Sequence, residues 1–273
     1  MPSVFTASHR GGSGSPMLCL HGFTGTWRMW EPVLPALERH HEVLAPTLLG
    51  HAGGAPLSEP SDEDAMLDAL ELAMDEAGFE TAHIVGNSLG GYLALRMAER
   101  QRARTVVALA PAGGWAANDE SFKETLAFFT ETKELVTAAA PFADQIASTP
   151  DGRRRATLMV AENYEHLSPE LVAHLIVGAA RCDATEPLIR HALQNGWTLH
   201  PDLITCPVRV VWGRTDRLLT WPSAAARYRS EWLPAADWVE LEGVGHCPQL
   251  DVPTETAELI LGFTAATAAP RSP

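Results

Sequence analysis

The sequence predicts an α/β protein, a mostly parallel β-sheet flanked by helices, with a helical block inserted into the alternation. Three observations predict it. Short apolar runs alternate with helix-like segments at both ends of the chain. The stretch between Trp115 and His200 breaks that alternation, with several helical segments and no strand-like run. One strand passes straight into a helix through a Gly-x-Ser-x-Gly turn, within "HIVGNSLGGYLALRMAER" (83–100).

The elements follow in order. Met17–Leu20 is an apolar strand leading into the turn "HGFTGT", and Glu31–Arg39 has helical spacing with Pro32 in its first turn. Val43–Pro46 is the next strand and opens into the glycine-rich "TLLGHAGGAP". Ser61, with Asp64 three residues on, resembles a capping box for a helix that Gly78 ends. His83–Val85 is a strand, the next helix starts at Leu89, and Thr105–Ala110 is a β-branched strand. Within the block, helices are expected over Glu120–Ala140, Arg153–Glu162, Pro169–Arg181 and Glu186–Leu193. Val208–Trp212 and Trp238–Leu241 resume the strands, a final helix covers Thr254–Thr264, and the tail "TAATAAPRSP" is expected to fray. The implied organisation is one core in two parts, 1–114 and 201–273, with 115–200 as a cap-like insertion.

Composition narrows the function classes. Of 273 residues, 46% are hydrophobic, enough for a large core, and 20 basic against 34 acidic residues give a net charge of −14. That balance disfavours nucleic acid or an anionic membrane as partner and leaves a small-molecule substrate. Cys19, Cys182, Cys206 and Cys247 lack metal-ligand spacing, and no metal or cofactor is expected. Reduced thiols and a polar, glycine-rich opening in place of a signal sequence point to the cytoplasm.

The chemistry centres on Ser88. A strand-to-helix turn this sharp forces strained backbone angles on the serine, so small residues, Gly86 and Gly90, must flank it. The turn holds the hydroxyl at a helix N-terminus, where aligned N–H groups favour developing negative charge. A serine needs a base, and among eleven histidines His246 stands in a loop just after a strand, as Ser88 does. Loops following parallel strands share one sheet edge, so the two can meet there. Asp216, after Val208–Trp212, is the expected acceptor for the imidazole; Asp237 precedes a strand and Asp251 begins a helix. The backbone N–H groups of Leu89 and Phe23 are the expected oxyanion donors, with His21 pinning the Phe23 loop. Trp27, Trp115, Phe122, Phe128 and Phe129 are candidate pocket aromatics, although ordinary core packing accounts for them equally well.

Together "HGFTGTW", "GNSLGG", "WGRTDRL" and "GVGHCPQLDVP" resemble the α/β-hydrolase fold family, in particular its esterase-like and C–C hydrolase-like members with a helical cap. The resemblance spans nearly the whole chain, and the order Ser88, Asp216, His246 is that of the family's triads. One departure is Thr47, where many relatives carry Asp. Serine at position 88 argues against the dehalogenase and epoxide-hydrolase branches, which use a carboxylate nucleophile. The expectation is a carboxylesterase-like serine hydrolase acting through an acyl-enzyme. The alternatives are cleavage of a C–C bond in a diketone or ring-cleavage product, and a weakly catalytic ligand receptor on the same scaffold.

Overall fold

A computed structural model describes residues 4–57, 63–117 and 119–268. Its seven strands are β1 (Ser8–Gly12), β2 (Ser15–Leu20), β3 (His41–Pro46), β4 (Ala82–Asn87), β5 (Ala103–Leu109), β6 (Val208–Gly213) and β7 (Asp237–Leu241). They form one sheet in the order β1-β3-β2-β4-β5-β6-β7, antiparallel only between β1 and β3. The α/β class and the mostly parallel sheet are as the sequence predicts. β4 and β5 are apolar along their inner lengths because helices cover both faces of the sheet.

One face is covered by α2 (Glu63–Ala77) and α3 (Leu89–Glu99), the other by α1 (Leu34–Leu37) and α10 (Pro253–Ala268). Leu67, Leu70 and Met74 of α2 recur at helical spacing and pack with Ile84 and Leu93 on the first face. Met17, Val85, Val107 and Ile260 pack on the second. Between β5 and β6 lie five α-helices: α4 (Ser121–Ala139), α5 (Ala143–Ser148), α6 (Pro150–Thr157), α7 (Pro169–Ala180) and α8 (Thr185–Asn195). Among the described residues, no helix is long and apolar enough to cross a membrane.

Several elements differ from the sequence reading. β1 is missed because "SHRGG" is polar, glycine-rich and half exposed, an edge strand held by backbone pairing with Glu42–Pro46 rather than by an apolar face. β3 begins at His41, two residues before the expected Val43, and the His41 ring meets the Ser15 hydroxyl at 2.8 Å. The helix expected over Glu31–Arg39 shortens to α1, after a single 3₁₀ turn at Trp27–Trp30. The helix expected over Arg153–Glu162 starts earlier, at Pro150, and stops at Thr157, while α5 was not foreseen. Asp251 ends a short α9 (Pro248–Asp251) rather than beginning a helix. Ser61 and the last five residues lie outside the described residues.

Candidate active site

The strand order brings the ends of β2, β4, β6 and β7 to one edge, and each loop there delivers one part of the site. β4 ends at Asn87 and α3 begins at Leu89, which leaves Ser88 alone to turn the chain, at φ 56° and ψ −119°. That strained conformation is fixed from three sides. The Ser88 amide donates to Leu109 at 2.9 Å, and its carbonyl accepts from Tyr92 and Ala112 at 3.0 Å each. A Cβ on Gly86 would strike the Gly90 carbonyl, and one on Gly90 the Leu20 carbonyl, so the two glycines are steric requirements.

β6 carries Asp216 and β7 carries His246 on their following loops. His246 Nδ1 lies 2.8 Å from Asp216 Oδ2, while Asp216 Oδ1 accepts from the Leu218 and Leu219 amides, both at 2.8 Å. The carboxylate is therefore held in one orientation, and Nε2 is the ring nitrogen left for the pocket. Thr215 donates through its amide and hydroxyl to the Val244 carbonyl, at 3.1 and 2.8 Å, and so ties the two loops together. Asn87 Nδ2 donates to the His246 carbonyl at 3.0 Å, which sets the histidine loop beside Ser88. Ser88, Asp216 and His246 are 7%, 4% and 2% exposed, and Ser88 and His246 line one cleft.

The loop after β2 sits against the serine: a Cβ on Gly22 would come within 3.2 Å of Ser88 Cβ. His21 fixes that loop. Its Nε2 accepts from the Leu48 amide at 2.9 Å and its Nδ1 donates to the Gly22 carbonyl at 2.8 Å. Burial, with His51 beside it, pushes its pKa well below the ordinary value, so the ring is neutral and unsuited to act as a second base. Leu89 heads α3, where an amide has no acceptor within the helix.

The aromatics divide. Trp115 and Phe129 line a small apolar chamber beside Ser88, and Phe128 and Phe129 line the larger cleft. Trp27 and Phe122 line neither. Trp27 stacks on His9 with its indole N–H 2.8 Å from Thr6, which draws it toward β1. Phe122 packs behind the chamber wall against Trp115, at a 6.1 Å ring separation.

Sequence reasoning missed Asn87, Arg217 and Asp251. Asp251 is 2% exposed and accepts four N–H bonds: from Gly245 (2.5 Å) and Glu162 (3.0 Å) on one oxygen, and from the Asn163 amide and side chain (2.7 Å each) on the other. Cys247 donates its amide to Val160 at 2.8 Å, and Arg217 reaches the Leu158 carbonyl at 2.9 Å. The segment from Leu158 to Asn163 thus braces the residues on either side of His246 and the one after Asp216. The acid in "PQLDVP" was the one local signal, since apart from Gly245 its partners come from 88 and 89 positions away in the helical block.

Comparison with known proteins places these features among relatives. The model of the alpha/beta hydrolase family matches residues 17–259. The epoxide hydrolase EphH of Mycobacterium tuberculosis is 34% identical over 199 residues, covering 72% of this chain and 92% of its own. A 2-hydroxymuconate semialdehyde hydrolase from Pseudomonas sp. strain CF600 is 25% identical over 283 residues, 96% of this chain and 91% of its own. Among solved structures, a bacterial membrane phospholipase A superposes with a TM-score of 0.76 at 22% identity, covering 96% of this chain and 83% of the other, a likeness of fold.

Proposed function

The chain belongs to the alpha/beta hydrolase family, and from that premise we propose that it is a serine hydrolase cleaving a carboxylic ester, with Ser88, His246 and Asp216 as its triad. The observation that carries this reading is the strained Ser88 turn on the same cleft as a histidine whose Nδ1 is held 2.8 Å from a buried carboxylate. His246 Nε2 takes the Ser88 proton as Oγ attacks the carbonyl carbon, and Asp216 stabilises the imidazolium that results. The amides of Phe23 and Leu89 receive the oxyanion, aided by the N-terminal end of α3. Collapse expels the alcohol, which takes the proton from His246. Water, deprotonated by the same nitrogen, then releases the acid. These steps need three side chains and two amides. The helical block would serve as the cap over the cleft.

The first relative's name raises epoxide opening as a competing reading. Attack by a serine alkoxide on an epoxide carbon would leave an ether, which water activated by a histidine does not hydrolyse. A carboxylate nucleophile would leave a labile ester instead. With serine at 88, ester chemistry closes the catalytic cycle and direct epoxide alkylation does not. The semialdehyde hydrolase keeps C–C cleavage as the second reading, since the same triad can act on a 1,3-diketone-like group. A panel of short p-nitrophenyl esters, styrene oxide and a ring-cleavage dienoate decides among them. Ester turnover with fluorophosphonate labelling at Ser88 is the expected result. Turnover of the epoxide or the dienoate alone would overturn it, and an unlabelled, inactive serine would favour a binding protein.

A further inference from the structure

Ser88 stands at the junction of two apolar spaces of different shape. The first is a small chamber beside the serine, walled by Leu89 and Leu93 of α3, Trp115, Leu126, Ile189 and Trp197. Of its polar side chains, His191 bonds through Nδ1 to Asn195 at 3.0 Å, and Tyr92, Glu63 and Thr125 are committed within the protein. Tyr92 Oη lies 2.8 Å from Glu63 and 2.7 Å from the Thr198 carbonyl, and Glu63 also pairs with Arg96. Thr125 donates to the Leu218 carbonyl at 3.2 Å. The Trp197 indole N–H, buried without a partner, is a neutral donor and does not offset a negative charge. A carboxylate entering this chamber would exchange its hydration for mostly apolar walls and the neighbouring Glu63 carboxylate.

The second space is the cleft that holds both Ser88 and His246, and it runs out beneath α4, α5 and α6 to the surface. Its outer end is marked by three large apolar side chains that water should disfavour: Leu135 is 69% exposed, Phe142 57% and Leu158 44%. They come from α4, from the link between α4 and α5, and from just past α6, yet all line this one cleft. Convergence of exposed apolar residues at a cleft mouth is the mark of a surface kept for an apolar ligand.

The chemistry assigns a direction to each space. In acylation the Ser88 Oγ–carbon bond forms, the carbon–oxygen bond to the alcohol breaks, and the departing oxygen takes its proton from His246 Nε2. That oxygen must lie on the side of the carbonyl facing His246. His246 lines the larger cleft and is not part of the chamber wall. We propose that the enzyme takes esters of a compact, uncharged, apolar acyl group with a long apolar alcohol, the acyl group filling the small chamber and the alcohol chain lying along the much larger cleft to Leu135, Phe142 and Leu158. The assignment rests on the ester-hydrolase reading and gives it a substrate class.

Two ester series measured by pH-stat test it. At a fixed butanoyl group, kcat/KM should rise about tenfold or more from the ethyl to the octyl ester. At fixed ethanol, it should fall about tenfold from butanoate to dodecanoate, because the small chamber has no room for the longer chain. L135D and F142D, at side chains exposed enough not to threaten folding, should lower the octyl-to-ethyl ratio at least about threefold, chiefly through KM. The reverse preference, a long acyl chain with a short alcohol, would overturn the assignment, as would rates indifferent to chain length or a ratio unmoved by both variants. Any of those leaves ester hydrolysis standing. Failure of every ester, with Ser88 unlabelled by fluorophosphonate, would sink the ester reading and this assignment with it.

Discussion

The sheet edge and the helical block facing it are built by different rules. At the edge, each loop is short and fixed by backbone contacts of its own: Ser88 by Leu109, Tyr92 and Ala112, Asp216 by Leu218 and Leu219, His21 by Leu48 and Gly22. In the block, position comes from helix packing and from long-range bonds such as Lys133 capping the α7 carbonyls of Ala179 and Ala180. The first region can hold reacting groups still. The second can vary in shape without disturbing them, and the apolar spaces beside Ser88 take much of their lining from it. On the proposed function, the difference would separate where the chemistry is placed from where its substrate is chosen.

The largest expected effect lies at the edge. Ser88→Ala should cost roughly 10³-fold or more in kcat with the fold intact, read by burst kinetics and circular dichroism. Asp216→Asn should cost about as much on the same protein. It keeps the shape of the side chain but offers His246 Nδ1 an amide that can stabilise the wrong tautomer. A variant at either position with the wild-type rate would break the assignment of chemistry to the edge.

The same contrast explains what the sequence could show. The Ser88 turn was legible because its cause is local: two glycines whose added Cβ atoms would strike backbone, within five residues. His246 and Asp216 were legible because strand-then-loop order alone carries them to one edge. β1 was not legible, since "SHRGG" has no apolar alternation and is a strand only because Glu42–Pro46 pairs with it. The aromatics of the block could be named as apolar but not aimed. Phe122 and Phe129 lie seven positions apart on α4 and pack against one apolar cluster, yet only Phe129 lines the pocket, Phe122 lying against Trp115 instead. Asp251 failed for the opposite reason, a local signal whose partners, Gly245 apart, are distant.

Asp251 is where the two regions meet, so Asp251→Asn sharpens the comparison directly. The amide must place an NH₂ group where an oxygen now accepts N–H bonds, which should cost about 2 kcal/mol and lower Tm by roughly 4–8 °C. If the block's segment 158–163 positions His246, kcat should also fall, about tenfold, with KM nearly unchanged. A rise in KM alone would mean that this brace shapes the cleft and leaves the histidine in place.

The smallest effect concerns a second meeting point. His174, on α7, is buried with Nε2 2.9 Å from Thr26, in the loop after β2, and stacks on Phe5 at 4.3 Å. Burial, reinforced by Arg28 and opposed by Glu31, lowers its pKa to about 4 from an ordinary 6.5. The unfolded chain therefore binds this proton first as pH falls. Stability from this residue is complete above about pH 6.5, declines as pH drops toward 4, and levels off below it. His51 and His83, each lowered to about 4 by burial, add to the same slope within the core. His174→Gln keeps a side chain able to bond Thr26 but cannot titrate. Melting temperatures measured from pH 7 to 4.5 should fall less steeply for this variant than for wild type. Parallel slopes would assign the acid sensitivity to the core histidines and leave the contact between α7 and the β2 loop indifferent to pH.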